Sequence, residues 1–411
     1  MTAAGKGRPD PATDAKVLCV AGARPNFMKI APILAALRQR ASQITARLVH
    51  TGQHYDIDMN ERFFAQLGIP SPDHSLEVGS ASHAVQTAEI MRRFEPVLDA
   101  EQPDAILVVG DVNSTIACAL VAAKKGVRVA HVEAGLRSRD RSMPEEINRI
   151  LTDQLSDRLY VTEREAIANL RREGIDDERI VFAGNVMIDS LHACRARAVP
   201  AITTITAACG AERAATITQG YALLTLHRPS NVDDAAVLVR LLDTLTRVSR
   251  RLPVVFPLHP RTRARIQAAG LDGFLAQPHV LALPPLGYLE MLGLLQQARL
   301  VLTDSGGVQE ETTALAVPCL TLRDNTERPI TIEQGSNTLT GTDPDVILRA
   351  VADVLDHGGK AGRVPERWDG HAAERIADDL VDWLGVTAHS ISQSSFAPQT
   401  KPVVQRAKWF P

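Results

Sequence analysis

The chain alternates short apolar runs with amphipathic stretches along most of its length, and this alternation most restricts the fold it can adopt. The clearest apolar run, residues 105–109 (AILVV), ends directly in Gly110-Asp111. An unbroken run of this kind is typical of a parallel strand that is buried on both faces. Strand–helix alternation in both halves predicts an α/β fold with two doubly wound, Rossmann-like domains that face each other across a cleft.

The length of 411 residues fits two large domains, at roughly 150 residues per domain. An Ala/Thr-rich segment, residues 192–218, is the candidate connector between them. We expect a disordered leader (1–15), an N-terminal Rossmann-like domain (16–190), a C-terminal Rossmann-like domain (191–364), a helix that returns to the first domain (365–385) and a flexible tail (386–411).

Composition excludes several classes of function. The net charge of −3 and the 4% aromatic content argue against binding to nucleic acid. No apolar run reaches the ~18 residues of a membrane span, and residues 1–15 lack a signal-peptide hydrophobic region, so we expect a cytoplasmic protein that does not bind membranes. The five scattered cysteines form neither a zinc spacing nor a disulfide framework.

The segment 303–311 (TDSGGVQEE) follows an apolar strand and opens a helix. Gly306 and Gly307 allow close approach of a ligand to the backbone, and with Ser305 they present amides that suit a pyrophosphate. The segment is neither GxGxxG nor a Walker loop, so it supports neither NAD nor ATP binding. One acid of the pair Glu310-Glu311 is best explained as an acceptor of ribose hydroxyls. The alternative is an ordinary strand-to-helix turn with a serine N-cap.

Arg328 follows another apolar strand and is positioned to reach the same diphosphate with its planar fork of donors. The alternative for Arg328 is a surface ion pair with Asp324 or Glu327. Both alternatives stay open on the sequence alone.

Three acids in the first half, Asp111, Glu133 and Glu145, lie at or soon after predicted strand ends. Parallel strands share one carboxyl edge, so we expect these acids to converge on the cleft. Their repulsion is expected to raise at least one pKa, which suits general acid–base work near neutral pH. His227 is the matching candidate from the second half.

Several motifs together carry a resemblance to a known family. In chain order they are GARPNFMK (22–29), TGQHYD (51–56), GD (110–111), HVEAGLRS (131–138), PEEINR (144–149), HRP (227–229), DSGGVQEE (304–311) and TERP (326–329). Over roughly residues 16–385 the chain resembles the non-hydrolysing UDP-N-acetylglucosamine 2-epimerases.

The resemblance implies a GT-B-like fold, a homodimer, and interconversion of UDP-N-acetylglucosamine (UDP-GlcNAc) and UDP-N-acetylmannosamine (UDP-ManNAc) with no cofactor and no metal. The family route eliminates UDP across C1–C2 to a 2-acetamidoglucal, then adds UDP back with the proton on the other face. By resemblance, the catalytic positions are Asp111, Glu133, Glu145 and His227. The positions around the UDP-sugar are Arg24, Lys29, Arg149, Ser305, Gly306, Gly307, Glu311 and Arg328, and Gln53 and His54 lie where some members hold an activator.

Other functions remain open on the sequence. They are a C2 epimerase of a related UDP-sugar such as a 2,3-diacetamido uronic acid, a GT-B glycosyltransferase, a hydrolysing epimerase and a silent UDP-sugar sensor. A glycosyltransferase would not need three acids on one cleft edge, and a sensor would gain nothing from them.

Overall fold

The computed structural model describes residues 14–52 and 57–386. Its first half comprises β1 (Ala15–Ala21), α1 (Arg24–Arg38), β2 (Ile44–His50), α2 (Ile57–Leu67), β3 (His74–Ser75), α3 (His83–Glu101), β4 (Ala105–Val109), α4 (Asn113–Lys124), β5 (Arg128–Ala134), α5 (Pro144–Leu155), β6 (Arg158–Val161), α6 (Arg164–Arg172), β7 (Ile180–Phe182) and α7 (Val186–Arg195).

The second half continues with α8 (Ala201–Cys209), α9 (Ala211–Ala214), β8 (Ala222–Thr225), α10 (Pro229–Val232), α11 (Ala235–Ser249), β9 (Val254–Pro257), α12 (Pro260–Ala268), α13 (Asp272–Leu275), β10 (Val280–Leu283), α14 (Tyr288–Gln297), β11 (Leu300–Thr303), α15 (Gly306–Leu315), β12 (Cys319–Thr321), α16 (Pro329–Glu333), β13 (Asn337–Leu339), α17 (Pro344–His357) and α18 (Ala372–Leu384).

Each half builds one parallel sheet. The first sheet has the strand order β3-β2-β1-β4-β5-β6-β7, and the second has β10-β9-β8-β11-β12-β13. Both orders reverse direction beside their first strand, which is the arrangement of doubly wound, nucleotide-binding folds. The predicted fold class of two Rossmann-like α/β domains is therefore confirmed.

The sequence explains the main elements. All five residues of β4 are buried, as expected for a central strand with helices on both faces. Asp234 caps α11 by accepting from the backbone N–H groups of Ala236 and Val237. The buried face of α11, which includes Leu238 and Leu245, then packs in the core of the second sheet.

The last helix, α18, packs against α1 rather than against the second sheet. Ile376 and Leu380 belong to the same buried cluster as Ile30 and Leu37 of α1. The chain therefore crosses back to the first sheet after α17. The domain boundaries drawn from the sequence stay a prediction.

Two smaller features complete the fold. Cys19, Cys118, Cys194 and Cys319 are buried free thiols. No helix in the described part of the chain has both the length and the hydropathy that crossing a bilayer requires.

Candidate active site

Two polar strand-end regions meet where the sheets face each other. The polar residues of the first sheet follow β1, β4 and β5, next to the point where the strand order reverses. Those of the second sheet follow β8, β11 and β12. Arg328, after β12, forms an ion pair with Glu133 of β5, so the two edges are in direct contact. Ligands of doubly wound sheets bind at these edges.

Asn26 fixes the turn after β1. Its side-chain oxygen accepts from the backbone N–H groups of Gly22 and Ala23, at 3.1 and 3.0 Å. Its amide nitrogen donates to the carbonyl of Val109 at 3.0 Å, at the end of β4. This side chain therefore joins two strand ends and orients the start of α1, the helix whose second turn carries Lys29.

Glu133 has an unusual backbone conformation for its residue type. Its φ angle is +74°, in the left-handed region, and the pairing of β5 with β6 shifts register between Val132 and Ala134. Such a conformation costs on the order of 1–3 kcal/mol and tends to occur at functional sites. The bulge directs the buried carboxylate of Glu133 to Lys29 and Arg328, with which it forms ion pairs.

The loop after β4 is shaped by close contact with these same groups. Gly110 has a φ of +68°, and a Cβ there would lie 2.9 Å from Lys29 Nζ and 3.1 Å from Glu133 Oε2. The positive φ and the close side chains both favour glycine at this position. The next residue, Asp111, pairs with Arg149 of α5, while Asn148 donates to the Asp111 carbonyl at 2.9 Å.

The charges around Asp111 decide its ionisation. Burial on its own would raise the pKa of the Asp111 carboxyl, but Arg149 and Lys29 outweigh it and hold the pKa below its ordinary value. For Asp111 the shift is thus opposite to the one expected from repulsion between acids. The pKa of Glu310, in contrast, is raised. Burial outweighs the attraction of Arg328, and repulsion from the charge of Glu133 raises the pKa further.

His131 and Asp153 form a buried support behind Gly110. His131 Nε2 donates to the Gly110 carbonyl at 2.8 Å, and Nδ1 lies 2.7 Å from Asp153 Oδ1. Both side chains are fully buried, and Asp153 also pairs with Arg137 at 2.7 Å. Burial would raise the pKa of Asp153, but its bond to His131 and the charge of Arg137 lower it, so the carboxylate is ionised.

We expect His131→Leu to lower the free energy of unfolding by about 2–3 kcal/mol, because Asp153 and the Gly110 carbonyl each lose a buried hydrogen-bond partner, while Arg137 still compensates the Asp153 charge. Urea unfolding would measure the loss. His74→Leu is the matched control, since His74 Nε2 also lies 2.7 Å from a carboxylate, that of Glu101, but in a partly exposed pair. That variant should lose less than about 1 kcal/mol. Equal losses in the two variants would contradict a special role for the buried pair.

The second sheet contributes the turn from β11 to α15. Ser305 is in the N-cap position of α15, but its side chain makes no capping bond. The alternative of an ordinary turn is thus met in the N-cap position of Ser305, but not in a capping bond from its side chain. Asp304 is fully buried and accepts from the backbone N–H groups of His227 and Arg228, and His227 Nδ1 lies 3.1 Å from it.

Arg328 connects the two halves. Its Nε donates to Glu310 at 2.8 Å, and one Nη pairs with Glu133 in the first sheet. The residue is 5% exposed, so the alternative of a surface ion pair with Asp324 or Glu327 is wrong. Its other terminal nitrogen, Nη1, has no hydrogen-bond partner among the described residues. This nitrogen is a candidate donor to a ligand.

Comparison with known proteins decides the family. The family model described as UDP-N-acetylglucosamine 2-epimerase matches residues 35–381. The chain belongs to the UDP-N-acetylglucosamine 2-epimerase family. It is 40% identical to the UDP-N-acetylglucosamine 2-epimerase of Methanococcus maripaludis over 343 residues, which cover 83% of this chain and 92% of that protein.

Two further members of the epimerase family are similar over nearly their full length. One is the UDP-2,3-diacetamido-2,3-dideoxy-D-glucuronate 2-epimerase of Pseudomonas aeruginosa, 42% identical over 375 residues, with 89% of this chain and 99% of that protein covered. The other is the crystal structure of the Methanocaldococcus jannaschii UDP-GlcNAc 2-epimerase in complex with UDP-GlcNAc and UDP. It has a TM-score of 0.79 and 39% identity, with 89% of this chain and 99% of that chain covered.

Within this epimerase fold, some of the predicted site residues are in direct contact and others are not. Lys29, Asp111, Glu133, Arg149 and Arg328 form one network of ion pairs and near charges. Glu145 lies half-buried in the first turn of α5, on the helix face that also carries Arg149. His227 stays on the edge of the second sheet, held by Asp304.

The remaining predicted residues of this epimerase differ in what can be said of them. Glu311 is buried and accepts from the Tyr288 hydroxyl at 3.0 Å, and burial raises the pKa of Glu311 to about 7. Its contact with ribose stays a prediction. Gln53 and His54 lie outside the described residues, as does the side chain of Arg24.

Proposed function

We propose that this protein interconverts UDP-GlcNAc and UDP-ManNAc by epimerisation at C2. The observation that carries the proposal is the contact between acids and cations across the cleft. Asp111 and Glu133 lie at adjacent strand ends, and Lys29, Arg149 and Arg328 lie against them. The similarity to proteins named as UDP-N-acetylglucosamine 2-epimerases supports the same substrate.

The chemistry follows from the sugar. No carbonyl acidifies the C2–H bond, so removal of this proton to leave a carbanion, with UDP still bound to C1, is too costly. In the proposed elimination, a carboxylate takes the C2 proton, a C1–C2 double bond forms, and the C1–O bond breaks with its electron pair leaving on UDP. Addition reverses these steps, but an acid on the opposite face delivers the proton to C2. Asp111, Glu133 and Glu145 are the proposed acids and bases.

The cations in this proposal hold the departing UDP. The negative charge on the β-phosphate increases as the C1–O bond breaks, so fixed donors that meet it stabilise the transition state. Arg328 suits this role, because its guanidinium is held by Glu133 and Glu310 and has a further donor nitrogen. The start of α15 supplies backbone amides for the same diphosphate.

Incubation with UDP-GlcNAc in deuterated water, followed by proton NMR, tests the proposal. We expect deuterium at C2 and a growing UDP-ManNAc signal, because the proton added back comes from solvent through an acid. Free UDP accumulating with N-acetylmannosamine would indicate a hydrolysing enzyme. No exchange with any UDP-N-acetyl sugar would rule the proposal out.

A second substrate class has a specific argument in its favour. The relative from Pseudomonas aeruginosa, named for a UDP-2,3-diacetamido uronate, is 42% identical to this chain, against 40% for the Methanococcus maripaludis relative. The same elimination serves both substrates, so the NMR assay should be run with both UDP-sugars. Faster C2 exchange with the uronate would move the assignment to that substrate.

Two finer expectations remain proposals. The family resemblance implies a homodimer, and α5 has two exposed apolar side chains, Ile147 and Leu151, of the kind that protein contacts bury. Analytical ultracentrifugation would test the dimer. The cytoplasmic location also stays a prediction.

A further inference from the structure

Glu327 belongs to the TERP motif, but the proposed reaction does not use it. It is 3% exposed, and its carboxylate lies between two arginines of the second sheet. Oε2 is 2.8 Å from Arg323 Nη1, and Oε1 is 3.3 Å from Arg228 Nη2. These arginines follow β12 and β8, so the carboxylate lies at the strand-end edge where a nucleotide is expected.

The same carboxylate also lies against the start of α15. A Cβ added to Gly306, the first residue of that helix, would be 2.6 Å from Glu327 Oε1. The first turn of α15 contains no acidic residue of its own, and no side chain caps it. Glu327 therefore supplies an anion to the positive end of a ten-residue helix.

The surrounding charge also favours an anion at this position. Burial would raise the pKa of Glu327, but Arg323, Arg328, Arg228 and Arg149 outweigh it and hold the pKa far below its ordinary value. Arg149 belongs to the first domain, so cations from both sides of the cleft act on this one carboxylate. The helix start and the arginines are the donors that a diphosphate would need.

We propose that Glu327 is a resident anion that competes with the diphosphate of the UDP-sugar for these donors and thereby weakens nucleotide binding. This inference rests on the proposed function, since it takes UDP as the ligand. Two anions cannot share the same donors without repulsion, so the carboxylate must withdraw when the diphosphate binds. If Glu327 occupies the donors in about 90% of molecules, the apparent affinity for UDP is reduced about tenfold.

A purely structural role for Glu327 predicts an effect of the opposite sign. In that case the carboxylate only holds Arg228 and Arg323 in place, and removing its charge would let the arginines move apart. UDP would then bind more weakly to the variant. The sign of the change in UDP affinity therefore separates the two roles.

The experiment compares wild type with Glu327→Gln by calorimetric titration with UDP, inorganic pyrophosphate and uridine. We expect the Gln variant to bind UDP and pyrophosphate about tenfold more tightly and uridine with unchanged affinity, because uridine has no phosphate. Glu333→Gln is the matched control, as it removes one negative charge from the exposed end of α16. It should leave all three affinities unchanged.

Unchanged or weaker UDP binding to Glu327→Gln would overturn the inference. If that variant does not fold, Glu327→Asp provides the test, since its shorter carboxylate withdraws from Gly306, and we expect about threefold tighter UDP binding. If the wild type binds UDP and exchanges the C2 proton, but the variant does not bind UDP more tightly, only the competition between Glu327 and the diphosphate is refuted. Wild-type protein that does not bind UDP would refute the proposed function itself.

Discussion

Glu133→Gln is expected to reduce proton exchange at C2 of the UDP-sugar by about 10³-fold, while UDP still binds. Gln has nearly the same shape as Glu but cannot take up or deliver the C2 proton. The change also removes the negative charge that faces Lys29 and Arg328, so both cations stay available to the diphosphate. We therefore expect the affinity for UDP to stay equal or to increase.

Deuterium exchange at C2 and calorimetric titration with UDP would measure the two quantities separately. Asp111→Asn should give the same separation, since Asp111 is the neighbouring acid on the same sheet edge. Glu165→Gln is the control, because Glu165 is exposed and lies on α6, outside the ion-pair network. Near-normal turnover in either active-site variant would show that the acids are wrongly assigned.

Most of the fold was predictable because buried parallel strands give a strong local signal. The apolar run at residues 105–109 corresponds to β4 without any shift of its ends. The edge strands β3, β7 and β13 have only two or three residues each, too few for a pattern to be recognised. The Ala/Thr-rich connector forms α8 and α9, since packing of Ala201 and Ile205 fixes helices that weak periodicity does not indicate.

The sequence predicted several residues that the structure brings into contact, but it did not predict how they pair. Asp111 and Glu133 were predicted as site residues from their positions at strand ends, and Arg328 from the TERP motif. That Arg328 pairs with Glu133 could not be read from the sequence, because 195 positions separate the two residues. The positive φ of Glu133 and the support of Gly110 by His131 were also missed. The HVEAGLRS motif contains both His131 and Glu133. A histidine inside an apolar strand was therefore the available signal for a buried polar contact.

Arg328→Met is expected to lower the free energy of unfolding by about 3–5 kcal/mol and to abolish detectable epimerisation. The substitution leaves two buried carboxylates, those of Glu133 and Glu310, without their shared cation. Breaking a buried ion pair on one side costs this much because the remaining charge is uncompensated. Urea unfolding measures the loss of stability, and C2 exchange measures the loss of turnover.

A double variant separates the two effects of that substitution. In Arg328→Met/Glu310→Gln the uncompensated charge at position 310 is gone, while Glu133 keeps Lys29 as its partner. We expect at least half of the lost stability to return, but not the turnover, since the donor to the departing UDP is still missing. Recovery of turnover in the double variant would show that Arg328 acts only through Glu310.

The pH dependence of stability gives an independent measure of the unpaired Glu310 carboxylate in Arg328→Met. Burial already raises the pKa of Glu310 above the ordinary glutamate value, and removing Arg328 removes the main opposing influence. In Arg328→Met the folded protein therefore holds a proton on Glu310 that the unfolded chain has released. Stability must then fall as the pH rises from the ordinary glutamate pKa toward the raised one. The double variant lacks this carboxyl, so its stability should decline much less over the same pH range. If stability falls equally with pH in the single and double variants, Glu310 is not the group that carries the unpaired charge.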